Sequence, residues 1–192
     1  MTDDVPGRDD GLIEDVIILV RRIQSLPYVW PCPPDADSAR RAGAGSCASK
    51  HALLAEELTS LGVDSSPLLL TGALVPAMLR NDREFTAGAG LVEVHECLTV
   101  VTPWAGPLRV DVTWDPPLIE RGLSGTVQWD CRSDMALAVD DGGPGWSVSR
   151  SGLRDAKEAL RARMYGPGQR KMRDEMLRRL AKRFEAWRRG EN

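Results

Sequence analysis

Two alternating segments separated by a short turn constrain the fold of this chain more than any other feature. The first, GLVEVHECLTVV, places Glu93, His95, Cys97 and Thr99 on one side of an extended strand. After the turn PWAGP, the segment LRVDVTWD alternates in the same way. The sequence therefore predicts an antiparallel hairpin over residues 90–115, with a less clear continuation of the sheet through GTVQWDC and MALAVDD.

Helical periodicity flanks this hairpin on both sides. Residues 12–25 have apolar side chains at helical spacing, and Pro27 stops the helix. The segment SCASKHALLAEELTSLG predicts a second helix that ends at Gly62. Between these helices, LPYVWPCPPDADS is too rich in proline for regular structure. After the second helix, SPLLLTGALVP predicts a strand and RNDREFTAGAG predicts a connecting loop. Two helices close the chain, and the second, over about 169–188, has an apolar stripe of Met172, Met176, Leu180, Phe184 and Trp187. The fold class is therefore α+β.

Cys47 stands at the predicted start of the second helix, directly after the glycine-containing loop GAGS. A cysteine attacks as its thiolate, and a helix N-terminus lowers the thiol pKa because the helix dipole favours negative charge. Glycines at 43 and 45 allow close approach of a substrate and leave the first helical amides free for an oxyanion. A lone buried cysteine is more often a core residue, so this position needs a base to be interpreted as a nucleophile.

The chain has two histidines that could serve as that base. His51 lies one helical turn after Cys47, where a side chain usually points along the helix, so we expect it to be a packed or capping residue. His95 lies in mid-strand and can be oriented from the neighbouring strand. A hairpin turn centred on residue 103 pairs it with Asp111, and a turn centred on residue 105 pairs it with Asp115. We favour Asp111, because Asp115 precedes two prolines that end the strand.

These residues resemble the transglutaminase-like superfamily of papain-related thiol enzymes. That family has a Gly-x-Cys at the start of a leucine-rich helix, then a strand histidine, then an aspartate in a segment like V-D-x-T-W. This chain has GSC at 45–47, LLAEELTSLGV at 53–63, VEVHECLTV around His95, and VDVTWD at 110–115. The similarity covers roughly residues 25–118.

The resemblance implies a helix that bears Cys47 packed against an antiparallel sheet that bears His95 and Asp111. Cys47 would be the nucleophile, His95 the general base and Asp111 the residue that orients the imidazole. Candidates for further oxyanion or substrate contacts are Tyr28, Trp30 and Ser46. The implied function is acyl transfer or hydrolysis at an amide or thioester carbonyl through a thioester acyl-enzyme; the alternative is a binding module that kept this fold without activity.

Positive charge is concentrated in the predicted C-terminal helices. From Arg150 onward the chain has 14 Lys and Arg against 6 Asp and Glu, a net +8, whereas residues 1–149 have 11 against 22, a net −11. The apolar stripe must be buried, so we expect it to dock on its own domain or on a second copy, as in a homodimer. No nucleic-acid motif accompanies the arginines. The expected substrate is a peptide, a protein or a small amide or thioester.

The organisation we expect is a catalytic domain over residues 1–150, with basic amphipathic helices over 151–192 packed on it. Residues 12–20 are apolar but contain acidic side chains, which excludes a signal peptide or a membrane span. The four cysteines form no CxxC pair, so we expect free thiols, no zinc site, no cofactor and a reduced cytoplasmic location.

Overall fold

The computed structural model describes residues 8–139 and 145–191. Its helices are α1 (Arg8–Gln24), α2 (Ala36–Ala42), α3 (Cys47–Ser60), α4 (Pro116–Glu120), α5 (Leu153–Met164) and α6 (Pro167–Arg188). Its strands are β1 (Asp64–Ala73), β2 (Val92–Thr102), β3 (Gly106–Val110) and β4 (Trp146–Ser147). Neighbouring strands are antiparallel, in the order β3-β2-β1-β4. The chain is therefore a mixture of helices and an antiparallel sheet, as the sequence predicts.

The hairpin of β2 and β3 has a register that neither sequence alternative contains. Thr102 pairs with Gly106, so the turn centres on residue 104 rather than on 103 or 105. The strand β3 ends at Val110, short of the predicted end at Asp115. It ends there because the Asp111 carboxylate accepts a hydrogen bond from the Thr113 amide, 3.1 Å away, and this local bond replaces the sheet ladder.

Two other sequence predictions of secondary structure are wrong. Helix α2 lies partly within the segment interpreted as irregular; the Asp35 carboxylate caps it by accepting from the Ser38 amide at 2.8 Å, and Gly43 ends it at a φ of 60°. The segment GTVQWDC and the described part of MALAVDD form no strand. They attach to the sheet edge through isolated bonds such as that from the Met135 amide to the Arg109 carbonyl.

The helix that begins at Cys47 was predicted correctly. Ser46 caps α3 in a reciprocal arrangement, in which its hydroxyl accepts from the Ser49 amide while its own amide donates to the Ser49 hydroxyl. Gly62 adopts a φ of 76° after the last turn, a left-handed conformation that favours glycine. The apolar side of α3 packs with α1, with Leu98 and Val110 of the sheet, and with Val112 just after β3.

A second core cluster forms where α6 covers the other part of the molecule. Four residues of the predicted stripe are buried there: Met176, Leu180, Phe184 and Trp187. Met172 is 43% exposed and does not belong to the buried stripe. None of the helices in residues 8–139 and 145–191 is long and apolar enough to span a membrane.

Candidate active site

Cys47 occupies the first position of α3, where its thiol is half-buried. Helix geometry leaves the amides of Cys47 and Ala48 without partners inside the helix, and these amides form the positive end of the helix dipole. The Ser46 hydroxyl, a predicted substrate contact, lies at the same cavity but is engaged in the helix cap. The site therefore has a nucleophile and two backbone donors held by a rigid helix terminus.

Gly45 has a packing role that the sequence interpretation missed. A Cβ at this position would lie 2.6 Å from the Ser49 hydroxyl oxygen, so only glycine fits. Its amide donates to the Pro27 carbonyl at 3.0 Å, and its carbonyl accepts from the Val29 amide at 3.1 Å. This bridge fixes Tyr28 beside the start of α3. Gly45 thus supports the site by packing, rather than by opening room for a substrate.

His95 and Asp111 form a buried hydrogen-bonded pair. The His95 Nε2–H donates to Asp111 Oδ2 over 2.7 Å, and the Ala138 amide donates to the same oxygen over 2.8 Å. Burial alone would lower the pKa of His95, but the Asp111 carboxylate and the Cys47 thiolate raise it to about 10. Burial would raise the pKa of Asp111, yet the charge of His95 holds it below its ordinary range.

The Cys47 thiol and the His95 ring line the same cavity, and each shifts the pKa of the other toward its charged form. Because Nε2 of His95 is bound to Asp111, Nδ1 is the ring nitrogen left to face the sulfur. Burial would raise the pKa of Cys47, but the ammonium group of Lys157 and the His95 imidazole outweigh burial and lower it. A depressed thiol pKa beside a raised imidazole pKa favours a thiolate–imidazolium pair at neutral pH.

His51 lies close to this pair with both ring nitrogens occupied. The Val112 amide donates to His51 Nε2 at 3.0 Å, so the proton resides on Nδ1, which donates to the Cys47 carbonyl at 2.7 Å. Burial lowers the pKa of His51 to about 4. The ring is therefore neutral, and its contact of 3.6 Å with Asp111 is not an ion pair. His51 is a packed residue that ties α3 to the chain after β3.

A cavity of about 760 Å³ opens at Cys47, and both predicted aromatic contacts, Tyr28 and Trp30, line it. Burial, together with the negative charge of a Cys47 thiolate, raises the pKa of the Tyr28 phenol, so it remains a hydrogen-bond donor. Trp30 is held at the rim by Arg178, whose guanidinium lies 5.4 Å from the ring centre. Cys32 also lines this cavity.

Asp115, the alternative partner for His95, has a different position and a different set of contacts. It accepts from the Tyr28 amide at 2.9 Å and from the guanidinium of Arg188 at the end of α6. The buried ammonium of Lys50 adds three bonds of 2.9 to 3.0 Å to the carbonyls of Gln24, Leu26 and Thr113. These contacts clamp the segment that bears Tyr28 against the chain after β3. Sequence reasoning missed the clamp because its members are distant along the chain.

The opposite wall of the cavity has charged residues that sequence reasoning also missed. Glu93 of β2 binds Arg173 of α6 through two oxygens and Arg161 of α5 at 3.0 Å. Burial raises the pKa of Glu93, but the two guanidinium groups outweigh burial and lower it. Glu96 of β2 binds Lys157 of α5 at 3.0 Å. The charged residues in VEVHEC were visible in the sequence, but the sequence did not show which residues bind them.

Within the described ranges, no group of three or more His, Cys, Asp or Glu side chains is arranged to hold a metal ion. The four cysteines, Cys32, Cys47, Cys97 and Cys131, are free. No protein-family model matches this chain, and no curated protein matches it in sequence.

Proposed function

We propose that this chain is a transglutaminase-like thiol enzyme that transfers or hydrolyses an acyl group through Cys47, His95 and Asp111. The observation that carries the proposal is the buried hydrogen bond between the His95 imidazole and the Asp111 carboxylate, beside the cavity that both His95 and Cys47 line. A nucleophile, a base and an orienting group in this geometry are the components of covalent acyl transfer. The antiparallel sheet beside the helix that begins at Cys47 supports the resemblance to this family.

In the first half-reaction the Cys47 thiolate attacks the carbonyl carbon of an amide or thioester. The electron pair of the C=O double bond moves to oxygen, and the amide of Cys47 and the phenol of Tyr28 are the donors available to that oxyanion. When the carbonyl re-forms, the bond to the leaving group breaks. The His95 imidazolium gives its proton to the departing amine or thiolate, and the acyl group remains on the sulfur as a thioester.

In the second half-reaction, neutral His95 accepts a proton from water or an amine as that acceptor attacks the thioester. The C–S bond then breaks and restores the thiolate and the imidazolium. Asp111 keeps Nδ1 of the ring directed at the reacting atoms and stabilises the positive charge at each stage. The chemistry is the same for hydrolysis and transamidation, and the acceptor decides between them.

The dimensions of the cavity suit a substrate that inserts a small acyl group. Its volume lies within the range of about 300 to 1,000 Å³ that is typical of small-molecule sites. One side is apolar and consists of Tyr28, Trp30, Trp114, Leu177, Leu180 and Phe184. Thr113 also lines the cavity, and its buried hydroxyl has no hydrogen-bond partner within the described residues.

An acylation experiment with p-nitrophenyl acetate tests the proposal. We expect a burst of p-nitrophenolate and a single acetylated peptide that contains Cys47, identified by mass spectrometry. Cys47→Ala abolishes the burst and His95→Ala slows it, because the sulfur loses its base. Cys32→Ala is the matched control, since this thiol lines the same cavity without contacting His95; it retains the burst.

Two results would contradict the proposed activity. One is a burst that persists in Cys47→Ala. The other is acetylation of Cys47 at the same rate as Cys32, which would favour a binding module with an unactivated thiol.

A further inference from the structure

Lys157 is the one residue of α5 that is buried, although lysine is among the residues least often found inside a protein. Its side chain is 9% exposed, and its partner Glu96 is 4% exposed. An isolated ion pair inside a protein seldom adds net stability. The burial of Lys157 on a helix whose other residues are exposed or half-buried therefore calls for a role other than stability.

The hydrogen bonds of Lys157 differ from those of Lys50, the other buried lysine. The Lys50 ammonium has three donors and three carbonyl acceptors, so it is fully used by the fold. The Lys157 ammonium also has three donors, but among the described residues it binds one acceptor, the Glu96 carboxylate. Lys157 lines the same cavity as Cys47, whereas Lys50 does not. The positive charge of Lys157 is thus directed to the site.

The titratable groups that interact with Cys47 come from four parts of the chain: Tyr28, Lys50, His51, His95, Glu96, Cys97 and Lys157. Tyr28 and His51 are neutral, and Lys50 is engaged by carbonyls. The Glu93 carboxylate further along the wall is bound by two arginines. Besides His95, the groups that act on the thiolate charge in opposite directions are Lys157 and Glu96.

We propose that Lys157 is a positioning residue for the reaction, a cation supplied by α5 that stabilises the Cys47 thiolate while Glu96 holds it in place. The inference rests on the proposed thiol chemistry at Cys47. It makes α5 a part of the active site rather than an appendage. The direction of the Cys47 pKa agrees, since the Lys157 charge opposes the effect of burial on this thiol.

The pH profile of Cys47 alkylation by iodoacetamide, resolved by peptide mass spectrometry, tests this role. Lys157→Met moves the inflection to higher pH, by roughly one unit or more, because a nearby positive charge is lost. Glu96→Gln moves it to lower pH, because the opposing negative charge is lost. A purely structural ion pair would give both variants the same direction of change.

Two further variants sharpen the result. Lys157→Arg keeps the charge and restores the wild-type profile. Lys171→Met removes a positive charge from an exposed position of α6 and leaves the profile unchanged. If Lys157→Met does not fold, Glu96→Gln/Lys157→Met replaces it, because this pair leaves no unpaired buried charge; it shifts the inflection upward by less than the single change.

The inference is overturned if the profiles of Lys157→Met and Lys171→Met coincide, or if Glu96→Gln and Lys157→Met shift in the same direction. Those outcomes leave the inflection of wild-type Cys47 lower in the folded protein than in concentrated urea, so the proposed activity stands. Failure of the proposed activity differs: the inflection of wild-type Cys47 is then the same in both conditions, and His95→Ala changes nothing.

Discussion

Asp111 determines both the orientation and the charge of His95. Its two carboxylate oxygens accept from the His95 ring and from the amides of Thr113 and Ala138. Amide donors keep the carboxylate ionised and fixed, and the ionised carboxylate keeps the imidazolium protonated. One buried residue thus links the end of β3 to the protonation state of His95.

Replacing Asp111 by Asn tests this coupling. The wild-type His95 pKa is raised to about 10, so the imidazolium is present at neutral pH and is lost as the pH rises through that value. In Asp111→Asn we expect the His95 pKa to fall toward the ordinary value of about 6.5, which removes the imidazolium at neutral pH. The acylation rate should fall by roughly 10²- to 10⁴-fold. NMR titration of the His95 ring and the p-nitrophenolate burst measure the two effects.

Asp115→Asn is the control for that prediction. Asp115 binds Tyr28 and Arg188 rather than His95, so its replacement should lower the melting temperature and leave the His95 titration near pH 10. A His95 titration that responds to Asp115→Asn and not to Asp111→Asn would contradict the assignment, because it would show that Asp115 orients the ring.

Among the elements, α6 contributes four residues to the wall of the cavity: Arg173, Leu177, Leu180 and Phe184. Its buried face covers Tyr28 and the residues around the short turns before β2. Met176 packs against Gly88 so closely that a Cβ on Gly88 would lie 2.5 Å from the Met176 methyl carbon. Arg173 and Arg188 of the same helix bind Glu93 and Asp115. Helix α6 therefore combines apolar packing with ion pairs that fix the walls.

Two methionines on α6 allow a matched test of this packing. Met176 is 2% exposed and Met172 is 43% exposed. We expect Met176→Ala to lower the free energy of unfolding by about 2 to 5 kcal/mol, because it leaves a cavity in the core. Met172→Ala should change it by less than about 0.5 kcal/mol, because the side chain lies largely in water. Urea denaturation measures both, and equal losses would contradict the packing described for α6.

The sequence was most informative where local signals decide structure. Helix α3, the strand with His95 and the final helix have clear periodicity, and the Ser46 cap and Gly62 define the ends of α3. Cys47 and His95, the proposed site residues with local signals, line the same cavity.

Features that depend on distant partners could not be read from the sequence. The end of β3 depends on where the Asp111 carboxylate, itself bound to the distant His95, interrupts the strand. Helix α2 was missed for a different reason, because its local cap at Asp35 lies within a proline-rich segment. The roles of Lys157 and Lys50 depend on partners 61 and 63 residues away, and no periodicity predicts such contacts.

At the scale of the whole molecule, the opposite charges of the two parts of the chain meet within one chain. Arg173, Arg183 and Arg188 of α6 bind carboxylates of the preceding residues, including Asp82 and Glu93. The net +8 of the C-terminal part and the net −11 of the rest are thereby partly neutralised. The apolar stripe of α6 is covered by its own chain, and pairing with a second copy stays a prediction.

The proposed thiolate is likewise a property of the whole fold, because its stabilising groups come from α3, β2 and α5. The unfolded chain separates them, and its cysteines then titrate near the ordinary value of about 8.5. The ultraviolet absorption of the thiolate therefore tests the central claim directly. The signal to measure is the difference between wild type and Cys47→Ala across a pH titration, in the folded protein and in concentrated urea. The account predicts that Cys47 is ionised at neutral pH when folded and that its inflection rises to the ordinary value in urea. An inflection at the ordinary value in both conditions would contradict it.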